Sequence, residues 1–255
     1  MHQGFSWPAH NIPPNTIPSL LGALDLGFDG METDIRKTSD GVWVISHNST
    51  VDGTINGTAV SLSVSDSTLA QLKAVVLGTS TEYGETHIAT LQELCQTAAY
   101  TGMRLLLEYK GGANPGEIAE VVMMSGMQGR VIYMCSHTYW SQFAAIDHNA
   151  SFAEVIFGLG TVTDFSPYTV FLNGSNTVGL DYQATTNDAN NPDMTNVILA
   201  QKAGLSIDFW NISGAAHNAY FDINPRAITV NGSDVFTYLA TYLDEKQSAL
   251  PGPTS

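Results

Sequence analysis

The stretch "GMETDIRKTSDGVWVISHN", residues 30–48, contains two short strand-like runs and places ionisable side chains in and directly after them. Successive side chains of a strand point to opposite faces, so Glu32 and Asp34 project from the same face. A carboxylate inside a folded protein is costly unless it has a partner. His47 follows the second run, thirteen positions after Asp34. This stretch therefore predicts a polar site built on neighbouring strands.

Composition limits the class of protein. The chain has 255 residues, 44% of them hydrophobic and 13% charged, so it can bury the core of one sizeable α/β domain. The formal net charge is −15, from nine Lys and Arg against 24 Asp and Glu, which excludes a basic nucleic-acid-binding face. No apolar run is long enough to predict a membrane span, and no signal peptide is recognisable. Because such a surface repels anions, a phosphate substrate needs local help from a metal or a lysine.

Strand-like and helix-like segments alternate along the chain. The predicted strands cover about residues 30–35, 42–46, 103–110, 131–135, 152–157, 177–181, 206–210 and 227–230. The predicted helices cover about residues 16–27, 66–76, 90–102, 115–126, 139–148, 193–203 and 234–243. Strands separated by helices form parallel βαβ units, and this number of units in one chain predicts an α/β fold of the (β/α)₈ TIM-barrel type.

Three segments depart from the simple alternation. Residues 51–102, between the strand before His47 and the strand of Glu108, predict a small insertion. Residues 247–255, "QSALPGPTS", have the composition of a linker, which leaves residues 1–246 for the barrel domain. The chain begins as a loop, so we expect the first barrel strand to lie upstream in a longer protein or to be replaced by another segment.

A further strand, "MRLLLEYK", places Glu108 and Lys110 on one face. The buried carboxylates could pair with Lys and Arg inside the barrel, but nine cations are few for 24 acids. A hard divalent cation, Ca²⁺ or Mg²⁺, held by oxygen ligands is the better explanation. Active sites of barrels lie at the carboxyl ends of the strands, where Glu32, Asp34, His47 and Glu108 all fall.

Several short motifs occur in a defined order along the first half of the chain. They are "HQG", "PPNT", "METD", "VWVISHN", "TLQEL" and "LLLEYKG". Together they resemble the glycerophosphodiester phosphodiesterase family, whose pattern is His-Arg-Gly, Pro-Glu-Asn-Thr, Glu-x-Asp, a strand ending in His-Asp, Leu-x-Glu and Glu-x-Lys. The resemblance covers residues 2 to about 112. It returns at "IDFWNI", where the family has a strand containing Trp-Thr-Val.

The resemblance implies a barrel enzyme that hydrolyses a glycerophosphodiester to glycerol 3-phosphate and an alcohol. It implies that His2 and His47 are the catalytic acid and base on either side of the phosphorus. It also implies that a divalent metal, Ca²⁺ or Mg²⁺, binds Glu32, Asp34 and Glu108.

Substrate-binding roles follow from the same resemblance for Gln3, Lys110 and Trp210. Lys110 would neutralise phosphate charge, and Trp210 would line the pocket against glycerol. Gln3 stands where the family has a phosphate-contacting arginine, so it can donate a hydrogen bond but brings no charge. Asn48 and Pro14 also depart from the pattern, replacing an Asp and a Glu. The implied metal ligands and both histidines are retained.

Two other functions stay open. A phospholipase of the sphingomyelinase D type shares part of the pattern, but the full insertion and the Glu108–Lys110 pair count against it. The chain could instead be a module of a secreted or phage tail protein that binds or degrades glycerol-phosphate polymers such as teichoic acid. The Asn-rich, Lys-poor composition suits this second alternative, whereas two retained histidines oppose a pure binder. We therefore expect an extracellular or virion-associated protein whose partner is a small or polymeric glycerol phosphodiester.

Overall fold

The computed structural model describes residues 1–5, 11–111, 114–156, 178–183, 195–212 and 227–230. The strands within these ranges are β1 Gly30–Lys37, β2 Trp43–Ile45, β3 Thr50–Ile55, β4 Thr58–Ser63, β5 Gly78–Ser80, β6 Gly84–Thr86, β7 Arg104–Tyr109, β8 Val131–Met134, β9 Ser151–Ile156, β10 Val178–Gln183, β11 Ser206–Ile212 and β12 Ala227–Val230. The α-helices are α1 Ile17–Asp25, α2 Leu69–Lys73, α3 Leu91–Thr101, α4 Gly116–Met124, α5 Trp140–Ala144 and α6 Thr195–Lys202. All eight strands predicted from the sequence are present.

Eight of the strands form one sheet in the order β12-β11-β10-β9-β8-β7-β1-β2. Every neighbouring pair from β1 to β12 is parallel, whereas β2 runs antiparallel to β1. Among the described strands, β12 and β2 are not paired with each other. Parallel neighbours joined through helices are the βαβ arrangement that the alternating sequence pattern predicts.

Helix α3 shows how local sequence determines an element and its packing. The Thr90 side chain accepts a hydrogen bond from the backbone N–H of Glu93, and the Glu93 side chain accepts one from the backbone N–H of Thr90. These two bonds form a capping box, and the helix ends at Gly102, the boundary predicted from the sequence. Leu91 and Leu94 are fully buried in the main core between the sheet and the helices.

The two faces of the sheet carry separate cores. Leu105 and Leu107 of β7 belong to the main core on the helical side. Leu106 belongs to a smaller cluster with Met134 and Ala153, on the other face of the sheet. Glu108 lies two residues after Leu106 and therefore projects from this inner face. The inner face thus changes from apolar to charged at the carboxyl end of β7.

The segment between β2 and β7 lies outside the eight-stranded sheet, in agreement with the predicted insertion. It contains two hairpins, β3–β4 and β5–β6, which the sequence analysis did not predict. Asn56 and Gly57 join β3 to β4 with φ of 50° and 77°, the left-handed conformations that a tight hairpin turn requires. The helix predicted over 66–76 is shorter and covers only Leu69–Lys73.

Some predictions fall outside the described residues, namely the helix over 234–243 and the linker-like tail. Two further helices are shorter than predicted. Helix α4 ends at Met124, and α5 covers only Trp140–Ala144 after one 3-10 turn at His137–Tyr139. No helix in the described part of the chain has both the length and the apolar character needed to cross a membrane.

Candidate active site

Three carboxylates meet at the carboxyl ends of β1 and β7. Asp34 is directly opposite Glu108 in the parallel pairing of the two strands, and Glu32 lies two residues earlier on the same face as Asp34. One oxygen from each of the three side chains lies within 4.8 Å of the others. We call Glu32, Asp34 and Glu108 the carboxylate cluster. The alternation along "METD" predicted the first two neighbours, and the strand register adds the third.

The carboxylate cluster is buried and incompletely paired. Glu32 is 3% exposed and Asp34 1% exposed, and Glu32 Oε1 has no hydrogen-bond partner in the part of the chain that the structure describes. Burial, followed by the charge of Asp34, raises the pKa of Glu32 well above its ordinary value. Burial also raises the pKa of Glu108, against the opposing effect of Lys110. An unpartnered buried oxygen and two carboxyl groups that resist ionisation are the arrangement that a bound cation would relieve.

Lys110 supplies the one ammonium group that contacts the carboxylate cluster among the described residues. Its Nζ lies 2.9 Å from Asp34 Oδ1 and 2.6 Å from Glu108 Oε1. Burial lowers the pKa of Lys110, but hydrogen bonds to Glu108 and Asp34 outweigh burial, and the pKa is raised. The lysine therefore stays charged and offsets one of three negative charges. The sequence left open that the buried carboxylates pair with Lys or Arg inside the barrel. Lys110 does pair with Asp34 and Glu108, but Glu32 Oε1 has no hydrogen-bond partner among the described residues.

The first residues of the chain are attached to β1 beside the carboxylate cluster. The Met1 amino group donates to the Gly30 carbonyl, and the Glu32 N–H donates to the Met1 carbonyl. His2 Nε2 consequently lies 3.7 Å from Glu32 Oε2. The Gln3 backbone N–H donates to the same Glu32 oxygen at 3.0 Å. His2 and Gln3 thus reach the cluster through backbone pairing rather than through a helix.

The tight turn after His2 depends on Gly4. Its φ is +72°, and a Cβ at this position would lie 2.5 Å from Ser19 Oγ. Gln3, with a φ of 53°, directs its side-chain amide to Asp34 Oδ2 at 3.3 Å. The residue that replaces the family arginine therefore contacts a carboxylate of the cluster.

His47 follows β2 and is held mainly through its backbone. The Ser46 N–H donates to the Asp34 carbonyl, and Arg36 donates from Nε and an η nitrogen to the His47 carbonyl at 3.1 and 2.7 Å. The imidazole Nδ1 lies 3.0 Å from Asn48 Oδ1. The His47 side chain is exposed, so its other ring nitrogen remains accessible to solvent. Asn48 therefore orients the ring without adding a charge.

A cleft of about 250 Å³ lies between these groups and the insertion. Gln3 and Asn15, which bond to Asp34 of the carboxylate cluster, line it together with His47. Val51 and Asp52 of β3 line it from the insertion. The insertion therefore forms part of the wall of the candidate site.

Asn15, the asparagine of "PPNT", was given no role from the sequence. Asn15 is 6% exposed, has a φ of 55°, and donates from Nδ2 to Asp34 Oδ2 at 3.1 Å. Its Oδ1 accepts hydrogen bonds from the Thr33 hydroxyl at 2.6 Å and from the Asp34 N–H at 3.4 Å. Asn15 thus fixes the orientation of the Asp34 carboxylate. The motif was the signal that pointed to Asn15. Its contact with Asp34 could not be predicted, because the two residues are distant in sequence.

One residue of the predicted site is described only in part. Trp210 lies in β11, opposite Gln183 and Thr229, but its side chain lies outside the described part of the chain. Its assignment to substrate binding stays a prediction. His137 Nδ1 lies 2.8 Å from Glu154 Oε2, which also accepts from the His137 N–H. This pair anchors the 3-10 turn after β8.

Comparisons with known proteins agree with this geometry. A profile of the "Glycerophosphoryl diester phosphodiesterase family" matches residues 2–134. A glycerophosphodiester phosphodiesterase of Caldanaerobacter subterraneus subsp. tengcongensis is 33% identical over 135 residues, which are 51% of this chain and 49% of that protein. Glycerophosphodiester phosphodiesterase 1 of Rattus norvegicus is 30% identical over 122 residues, 46% of this chain and 35% of that protein. The chain thus spans about half or less of the length of these relatives.

Solved structures resemble nearly the whole chain. A glycerophosphodiester phosphodiesterase of Agrobacterium tumefaciens has a TM-score of 0.68 at 20% identity, covering 92% of this chain and 96% of that chain. An Oleispira antarctica phosphodiesterase in complex with the product sn-glycerol-3-phosphate has a TM-score of 0.70 at 19% identity, covering 96% and 95%. At these identities the likeness concerns the fold, and it confirms the predicted TIM-type α/β fold.

Proposed function

Because the chain belongs to the glycerophosphoryl diester phosphodiesterase family, we propose that it hydrolyses glycerophosphodiesters to glycerol 3-phosphate and an alcohol. The observation that carries this proposal is the carboxylate cluster with Lys110 on one side and His2 at 3.7 Å from Glu32. A phosphodiester carries one negative charge and resists nucleophiles, so the site must offset charge and move protons. The cluster, the lysine and the two histidines are the groups for these tasks.

We propose that Glu32, Asp34 and Glu108 hold a divalent cation, Ca²⁺ or Mg²⁺. Their donor atoms are all carboxylate oxygens, which suit hard cations, and Glu32 Oε1 is buried without a partner. When bound, such a cation polarises a non-bridging phosphoryl oxygen and offsets its charge. Lys110, tied to Asp34 and Glu108, presents the remaining positive charge to the phosphate.

We propose that His2 and His47 transfer the protons. An imidazole can donate a proton from one ring nitrogen or accept one on the other, and such proton transfer contributes roughly 10²–10⁴-fold to rate. The nearby Glu32 carboxylate orients His2, and Asn48 orients His47. One histidine removes a proton from the oxygen that attacks phosphorus while the other protonates the departing alcohol oxygen, and with the addition of one water the products are the free alcohol and the phosphomonoester.

The relatives reported above are named as glycerophosphodiester phosphodiesterases, so neither alternative function is favoured. We propose a secreted or virion-associated multidomain protein only as the setting in which this activity takes place. The chemistry proposed for the site is the same for a small or a polymeric glycerol phosphodiester.

The direct experiment is to incubate the protein with glycerophosphocholine and Ca²⁺ or Mg²⁺ and to measure glycerol 3-phosphate. We expect release that EDTA abolishes and that His47→Ala lowers by at least about 10²-fold. His148→Ala is the matched control, because His148 is exposed and bonded only to the Ala144 carbonyl of its own helix end in the described structure. Undiminished release in His47→Ala would overturn the assignment of His47, and no release from the metal-loaded protein would overturn the proposed activity.

A further inference from the structure

The cleft beside His47 is lined by both polar and apolar side chains. Gln3 and Asn15 line it and donate hydrogen bonds to Asp34, so the cleft lies next to the carboxylate cluster. Its apolar lining comes from the loop before α1, from β2 and from the insertion, namely Pro13, Pro14, Ile45, Val51, Leu77 and Ile88. A substrate that places its phosphate at the cluster and extends past His47 therefore lays one of its two ester groups against this lining.

The charge along this path is one-sided. Among the described residues that line the cleft, none is a lysine or an arginine, and Asp52 is the one carboxylate. Asp52 is exposed on β3, and its Oδ1 accepts a hydrogen bond from the hydroxyl of Ser61 on β4. Arg36 is bonded to the His47 carbonyl and does not line the cleft. Lys110 is bonded to Asp34 and Glu108 and does not line the cleft either.

A negative charge on the group inside the cleft would therefore meet Asp52 with no cation lining the wall to offset it. Like charges at close range disfavour binding, whereas a neutral or positively charged group meets no such penalty. The apolar lining adds contact for the carbon atoms of that group without selecting its charge. Discrimination by charge thus depends on a single residue of the insertion.

We propose that this cleft is the subsite for the alcohol part of the substrate and that Asp52 selects alcohols without negative charge. The inference rests on the proposed hydrolysis of glycerophosphodiesters and adds the class of alcohol. Esters of neutral or cationic alcohols are the preferred substrates, and esters of anionic alcohols are disfavoured. A polymer with a phosphate on each repeating unit carries a negative charge on its alcohol side and falls into the disfavoured class.

The test compares glycerol phosphodiesters of choline, glycerol and 3-hydroxypropionate, whose alcohol parts carry one positive charge, no charge and one negative charge. With the metal-loaded protein at low salt, we expect kcat/KM to fall in that order, and the anionic ester to lie at least about threefold below the neutral one. The difference between the esters is expected to shrink as salt is added, because Asp52 is exposed.

The decisive variant is Asp52→Asn, whose amide oxygen can still accept the Ser61 hydrogen bond. We expect it to reduce the gap between the neutral and anionic esters about threefold. Glu120→Gln removes one exposed negative charge from α4, away from the cleft lining, and is expected to leave the gap unchanged. The subsite is overturned if the wild type has equal kcat/KM for the anionic and neutral esters. It is also overturned if Asp52→Asn and Glu120→Gln change the gap equally.

Failure of the proposed activity gives a different result. If the metal-loaded wild type releases no glycerol 3-phosphate from any ester, the dissociation constants of the three esters are measured by calorimetry instead. Affinities that fall from the choline ester to the glycerol ester to the 3-hydroxypropionate ester, with smaller differences in Asp52→Asn, support the charge-selective subsite without hydrolysis. Equal binding of the three esters overturns it.

Discussion

At the amino end of β8 the guanidinium of Arg130 meets neutral carbonyl groups, whereas at the carboxyl ends of β1 and β7 three carboxylates lie beside one lysine. Arg130, directly before β8, donates from one η nitrogen to the carbonyls of Ala98 at 2.6 Å and Met103 at 2.7 Å. Its other η nitrogen donates to the Ala99 carbonyl at 3.4 Å. Ala98 and Ala99 lie in the last turn of α3 and Met103 in the turn after it, so Arg130 adds a charged donor to carbonyls at the end of the helix, of which Ala98 also accepts the Gly102 N–H.

The carboxyl ends of β1 and β7 have the opposite arrangement. Lys110 contacts two of the three carboxylates, Glu32 Oε1 has no hydrogen-bond partner among the described residues, and burial raises the pKa values of Glu32 and Glu108. Satisfied polar groups stabilise a fold, while unsatisfied buried charges cost stability and are kept where they bind or react. In this sheet, the groups that stabilise the fold and the groups suited to bind or react therefore lie at opposite ends of the strands.

Removing Arg130 is expected to have the largest effect on stability. Arg130→Met leaves carbonyls at the end of α3 without their charged donor, so we expect the free energy of unfolding to fall by about 2–3 kcal/mol. Denaturant unfolding measures this change. Arg104→Met is the matched control, since Arg104 lies exposed at the same end of the sheet, and the metal-dependent hydrolysis rate is expected to change in neither variant. A fall in rate with unchanged stability would break the division between the two ends.

Removing Asn15 is expected to act on the carboxyl end alone. Asn15→Ala frees the Asp34 carboxylate from its orienting amide, and we expect metal affinity to fall by about tenfold or more. Calorimetric titration with Ca²⁺ and Mg²⁺ measures the affinity. Asn114→Ala is a suitable control, because Asn114 has a similar φ of 59° but its side chain contacts Glu117 instead of the cluster. Equal affinities in the three proteins would show that Asp34 needs no support.

Neutralising Glu32 is expected to have the smallest effect, and it is expected to raise stability instead of lowering it. In metal-free protein at neutral pH, Glu32→Gln removes a buried charge with an unpartnered oxygen, so we expect stability to rise by about 1 kcal/mol, or a few degrees in Tm. Metal-dependent stabilisation is expected to be lost. Glu120→Gln is the exposed control.

The advantage of Glu32→Gln depends on pH. Because folding raises the pKa of Glu32, the folded protein binds its proton more tightly than the unfolded chain. The wild type therefore has this contribution in full below the unfolded pKa of about 4.5, and loses it as pH rises through the folded pKa. We expect the Tm difference between Glu32→Gln and wild type to be absent near pH 4 and to grow toward pH 7. A difference independent of pH would contradict the raised pKa.

The sequence by itself determined the features that depend on near neighbours. Period-two spacing placed Glu32 and Asp34 on one face of a strand, and Thr90 with Glu93 set the start of α3, because both depend on contacts within a few residues. The order of motifs indicated the family and thereby Glu108. The β3–β4 hairpin was missed although Asn56 and Gly57 are a strong local turn signal.

The tertiary structure alone decided which distant residues meet. The register of β1 on β7 places Asp34 opposite Glu108, the backbone of Met1 brings His2 to Glu32, and a left-handed turn directs Asn15 to Asp34. None of these contacts follows from spacing, since strand register and chain reversal depend on how the whole core packs. The residue types of the site are therefore written in the sequence, whereas its incomplete pairing, which makes it fit for a cation, arises only when the strands assemble.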